Sequence, residues 1–178
     1  MIAAAVIFAI VAALVIMVIA TSSRLIGLRR SVNRAFANID AQLKQRQDLA
    51  SDLIEAVKGN AADEQLDELA AACAAAEAAP AVEERVDAEN ALTGALGGLM
   101  AASETNPDLK ANPAFLRLKG ELADLENKIA GACRPFNDAV AILNARIQTF
   151  PALLFAAALG FAPRDLLDLG DDRAANAR

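Results

Sequence analysis

Histidine is absent from all 178 residues, and with it go the commonest general base and the commonest side-chain metal ligand. A serine or cysteine nucleophile would have no imidazole to activate it. The di-metal sites of helical bundles draw on Glu-x-x-His pairs, which leaves only an all-carboxylate site for a hard cation as a metal reading. We therefore expect neither an enzyme nor a cofactor. Tyrosine and tryptophan are missing too, and beyond residue 20 the Val and Ile residues are scattered rather than alternating, which argues against strands. Gly94, Gly97 and Gly98 make no phosphate loop, because no strand precedes them and no lysine follows. A formal net charge of −6 without a long basic block argues against a nucleic-acid partner. Cys73 and Cys133, the only two cysteines, lie in alanine-rich helical contexts and are expected as reduced, small apolar residues, although a disulfide between their helices is open geometrically.

What is present reads as all-α. Phe115, Leu122, Ile129, Phe136, Leu143 and Phe150 recur at every seventh position, with Leu118, Leu125, Ala132 and Ala139 in the intermediate slot. A helix over 115–151 would be about 54 Å long, and such a seam is buried only against partner helices of similar length. Pro135 falls inside it. Because the register survives on both sides, the expectation is a kink near Gly131 to Arg134 rather than a chain reversal.

Residues 2–20 carry no charge, and as a helix would cover about 28 Å, close to the roughly 30 Å of a bilayer's hydrocarbon. A transmembrane anchor over 1–23 is the reading. A cleaved signal peptide is the competitor, disfavoured by the missing basic n-region and the length of the run. Arg24, Arg29, Arg30 and Arg34 follow with no acid before Asp40, which predicts that the N-terminus lies outside and the following domain in the cytoplasm. These arginines serve either as topology signals or as contacts to membrane lipid. Ala5, Ala9 and Ala13 form a small-residue row through which spans can self-associate into a homo-oligomer.

Leu25, Leu28, Val32, Phe36, Ile39, Leu43, Leu53 and Val57 continue a three-and-four spacing, so the span and the first soluble helix read as one, ending at Gly59 and Asn60. Arg46 and Gln47 interrupt this seam. A second helix starts at Asp63 and Glu64 and is stopped by Pro80. A third covers 83–103 with Val82, Val86, Leu92, Leu96 and Leu99 inward and its glycines permitting close approach. Asn106-Pro107 and Asn112-Pro113 each read as an N-cap with proline at the first helical position. Leu153, Leu154, Phe155, Leu159 and Phe161 are too few to span, and either dip into the membrane interface or pack against the base of the bundle. The domain thus covers 24–167, followed by a polar tail over 168–178 expected to be disordered.

Two polar sets stand out. Asn90, Glu126, Asn127, Asn137 and Asn144 flank the seam and are expected to fix register across helices rather than line a ligand groove. Asp40, Lys44, Arg46, Asp48, Asp52, Glu55 and Lys58 make a mixed-charge face, either solvated with pairs such as Asp40 to Lys44 or docking another membrane protein.

Asn38-Ile39-Asp40, Leu43-Lys44, Arg46, Asp48-Leu49, Glu55 and Val57-Lys58-Gly59 resemble the first-helix signature of the LemA family. Glu89-Asn90 with Leu92-Thr93, the run from Asn106 to Asn112, Glu126-Asn127, Phe136-Asn137, Phe150-Pro151, Gly160-Phe161 and Pro163-Arg164 resemble its later blocks. Ala50-Ser51-Asp52, Cys133 and Pro135 depart from the pattern. The resemblance implies a bacterial membrane-anchored bundle of long antiparallel helices without an established enzymatic activity. Two functions are then expected: a scaffold or membrane-organising adaptor that self-associates, or a regulatory subunit of a membrane complex such as an envelope protease or stress system.

Overall fold

The computed structural model describes residues 2–59, 61–79 and 82–167. Expectations placed on Asn60, Pro80, the side chain of Val82 and the 168–178 tail lie outside the described residues. The chain is all-α, with no strand among the described residues.

Helix α1 runs unbroken over Ile2–Val57. Past the end of the apolar run it continues with its hydroxyls folded back onto its own backbone. Thr21, Ser22 and Ser23 each donate to the carbonyl four residues back, on Met17, Val18 and Ile19. Gly59, at φ +85°, then closes the helix in the left-handed conformation that glycine adopts without penalty. Helices α2 (Asp63–Ala78) and α3 (Val82–Ser103) pack on one another. The short α4 (Pro107–Ala111) begins as expected, with the Asn106 side chain accepting from the backbone of Asp108 and Leu109. Asn112 caps α5 (Pro113–Ile147) in the same way through Ala114 and Phe115, and its amide donates to the Ala56 carbonyl at 2.9 Å.

Helix α5 continues through Pro135 without reversing. Gly131, whose carbonyl the missing amide would have bonded, is exposed, so water can take its place. The seam itself changes step here. Phe115, Leu118, Leu122, Leu125, Ile129, Ala132 and Phe136 are buried in strict alternation of three and four, but the next buried residues are Val140, Leu143 and Ile147. Two consecutive steps of four make a stutter, which locally unwinds a heptad stripe. Val140 therefore takes the place expected of Ala139, and Phe150, beyond the helix end, is 69% exposed rather than in the seam.

By packing, the chain falls into two units. The first comprises 1–37 and 134–166. Its core is Leu25, Val32, Phe136, Val140, Leu143, Ile147, Ala152, Ala156 and Phe161, with the Phe36 and Phe136 rings 5.8 Å apart. The second comprises the described residues of 38–133 together with Leu167. It buries one face of each helix: Ile39, Leu43, Leu53 and Val57 from α1; Leu66, Leu69 and Cys73 from α2; Leu92, Leu96 and Leu99 from α3; and the first half of the α5 seam. The glycines of α3 do not mediate close approach: Gly94, Gly97 and Gly98 are exposed, and an added Cβ would meet nothing within 4 Å at any of them. Val86 is half-buried.

Candidate functional site

In the second unit, the inward face of α1 reads Ile39, Leu43, Arg46, Ala50, Leu53, Val57, so an arginine occupies a slot that the heptad reserves for an apolar side chain. A desolvated guanidinium must be matched by acids and acceptors. The match comes from α3, whose inward face reads Glu89, Leu92, Leu96, Leu99, Ser103, with a carboxylate in the equivalent slot. Arg46, 1% exposed, donates through Nη2 to the Glu89 carbonyl at 2.9 Å and to Thr93 Oγ1 at 2.5 Å. Its Nη1 lies 3.7 Å from Glu89 Oε2 and its Nε 3.2 Å from Glu126 Oε1 on α5. Gln47 donates to Glu89 Oε1 at 2.8 Å, and the Thr93 hydroxyl donates in turn to the Glu89 carbonyl. Three helices are thereby fixed at one level by a single arginine. Burial pushes the Glu89 carboxyl above its ordinary range, outweighing the opposing pull of Arg46, the Gln47 hydrogen bond and Arg85. The Cys73 thiol is also pushed up, by burial first and then by Glu77 and Glu89, which leaves it a poor nucleophile. A shallow cavity of about 280 Å³ opens beside the network, lined by Thr93, Met100, Lys119, Leu122 and Glu126 among others.

The polar residues singled out in the sequence are redistributed accordingly. Asn90 is exposed, one step out of register with Glu89, which takes the buried role. Asn127 is also exposed and bonds back to the Ala123 carbonyl of its own helix. Glu126 does bridge helices. Asn137 is half-buried. Asn144 does not cross between helices but holds the segment after α5: its Nδ2 donates to the Arg164 carbonyl at 2.7 Å and its Oδ1 accepts from the Arg164 amide at 2.9 Å. On the mixed-charge face, Lys44, Asp48, Asp52, Glu55 and Lys58 are exposed, and Glu55 pairs with Lys58. Arg46 does not belong to that face. Nor does Asp40 pair with Lys44, because Arg85 of α3 takes it at 2.6 Å. No group of three metal-ligating side chains converges among the described residues.

The first unit carries the long apolar stretch. Ala5, Ala9 and Ala13 are exposed on a stretch of mean hydropathy 3.0, none of it buried, in the one helix among the described residues that is long and apolar enough to cross a membrane. Arg24, Arg29, Arg30 and Arg34 are exposed just beyond it. A cavity of about 460 Å³ lies at this level, between α1 and the end of α5, lined by Arg24, Leu28, Arg146, Thr149, Phe150 and neighbours. The apolar run after Pro151 divides. Leu153 and Leu154 are 60% and 73% exposed and Phe155 is half-buried, whereas Phe161, expected near the membrane surface, is buried in the core. Gly160, at φ +74°, turns the chain inward at that point, and Arg164 donates to Asn33 Oδ1 at 2.8 Å. Phe161 thus packs into the core, while Leu153 and Leu154 are left on the surface.

The described residues thus define an all-α protein in which one helix, long and apolar enough to cross a membrane, runs on into the packed helices. The chain belongs to the LemA family, whose family model matches residues 35–178, most of its length. A comparison with curated proteins returned no match.

Proposed function

We propose that this is a membrane-anchored, non-enzymatic helical bundle that serves as a self-associating scaffold or membrane-organising adaptor. The observation that carries the reading is α1: its N-terminal stretch is apolar and none of its apolar window is buried, while the same helix, without interruption, supplies core residues from Leu25 to Val57. An uncovered apolar face of that length finds its partner in lipid. The arginines at 24, 29, 30 and 34 favour an N-terminus outside and the bundle in the cytoplasm of a bacterial inner membrane. Self-association would use the exposed Ala5, Ala9 and Ala13 row.

Particle size and composition after extraction in mild detergent test this. A large particle containing this chain alone, reduced to monomers by Ala9→Phe, supports the scaffold. Stable co-purification of one other protein in fixed ratio would instead support the regulatory-subunit function, and a plain monomer would remove both.

A further inference from the structure

We infer that the crevice at the end of the apolar stretch is a docking site for an anionic phospholipid, with the headgroup phosphate taken by Arg24 and Arg146 and the acyl chains following the exposed face of α1. The inference rests on the membrane-anchored reading above and deepens it. Charge is the first argument. Residues 1–37 and 134–166 contain seven arginines, no lysine and two aspartates, a net of +5 in a chain of net −6, so the remaining residues carry −11. The unit that bears the apolar stretch is thus net positive because it holds only two of the chain's 23 acids, and no acid lines the crevice.

Pairing is the second. In the other unit Arg46, Arg85 and Arg117 each meet a carboxylate. Arg24 and Arg146 line a cavity of about 460 Å³ and make no ion pair or side-chain hydrogen bond among the described residues. The Thr149 hydroxyl is not available as a donor, being committed to the Ala145 carbonyl, so the arginines are the anion's partners. Depth is the third. Arg24 lies four residues past Ala20, about 6 Å along the helix, at headgroup level if residues 2–20 fill the hydrocarbon. The apolar walls, Leu28 and Phe150, and the exposed Leu153 and Leu154 nearby would be left to water by a free phosphate but are covered by a lipid.

The test is native mass spectrometry of the full chain released from nanodiscs of equal phosphatidylglycerol and phosphatidylcholine. Basic side chains near the surface are each worth about fivefold in attraction to anionic lipid, so the two arginines should give roughly thirty-fold preferential retention of phosphatidylglycerol. Arg24→Gln with Arg146→Gln should abolish that preference. Arg30→Gln with Arg134→Gln, which removes the same charge outside the crevice, should preserve most of it, as should excess inorganic phosphate. Thr149→Trp, which fills the crevice without altering charge, should lower retention and decides the matter if the double arginine variant fails to fold. No preference in the natural chain, equal loss in both arginine pairs, displacement by inorganic phosphate, or undiminished retention with Thr149→Trp would each overturn the site. The protein masses in the same spectra report self-association separately, so selectivity can fail while the scaffold stands. A chain that does not enter nanodiscs overturns the anchored reading and the site together.

Discussion

Replacing Arg46 by methionine keeps the length and apolar stem of the side chain while removing the charge on which three helices converge. Two of the lost interactions are charge-assisted hydrogen bonds, to the Glu89 carbonyl and Thr93 Oγ1, each worth about 1.5–3 kcal/mol net of the exchange with water. The contact with the partly exposed Glu126 adds at most about 1 kcal/mol. The larger consequence falls on Glu89, left buried without its main counter-charge and with only the weaker influence of Arg85, and breaking such a pair costs about 3–5 kcal/mol. That penalty depends on pH with a definite sign. The folded-state pKa of Glu89 is already raised, so its contribution to stability is full below the ordinary value of 4.5 and is lost as pH climbs through the raised one. Removing Arg46 takes away the strongest influence holding that pKa down. The cost of Arg46→Met should therefore be greatest near pH 7 and shrink steadily on acidification toward 4.5. Urea midpoints of the full chain in detergent micelles, followed by circular dichroism, measure this. Arg46→Met combined with Glu89→Leu should recover most of the loss, since an apolar replacement of a buried pair is near neutral or better. A cost below about 1 kcal/mol for the single variant, one that does not change with pH, or additive losses in the double variant would refute the reasoning.

Gly97→Ala and Gly98→Ala should each stabilise α3 by up to about 1 kcal/mol, because both positions are helical with open space where a Cβ would go; a loss in the urea midpoint would mean that another surface packs there. Asn144→Ala should free the 161–167 segment, removing two hydrogen bonds to the Arg164 backbone at a local cost of about 1–3 kcal/mol, seen as faster amide exchange there with α2 and α3 unchanged. Asn112→Ala removes the α5 cap and the bond to the Ala56 carbonyl together, and should cost more than the roughly 1 kcal/mol of an ordinary cap in the same unfolding assay.

Helix extents were legible because their signals are local. The uncharged run and the three-and-four spacing after it describe one helix, Asn106 and Asn112 announce the two later starts, and apolar residues continue past Pro135, although the step of the stripe changes there. The buried network was half legible. Arg46 stands in a seam slot of α1, and Glu89 stands in one of α3, three residues before Leu92, so opposite charges in two apolar stripes were available to be matched. Periodicity says which face is buried but not which faces meet, and Asn90, the next residue along, offers an equally polar signal at the edge of the same stripe. The same gap explains Asp40: a neighbour at i+4 is visible in the chain, whereas Arg85 on another helix is not. Phe161 was read with the exposed leucines because an irregular segment has no period, and only the turn at Gly160 separates them.

The central claim, that residues 2–20 hold the bundle to a bilayer as part of α1, is tested most directly by alkaline carbonate washing of membranes that contain the full chain. The account predicts that the chain stays in the membrane pellet at its full mass, while the chain without residues 2–20 is released. Release of the full chain, or a membrane-free chain cleaved near Ala20, would contradict it.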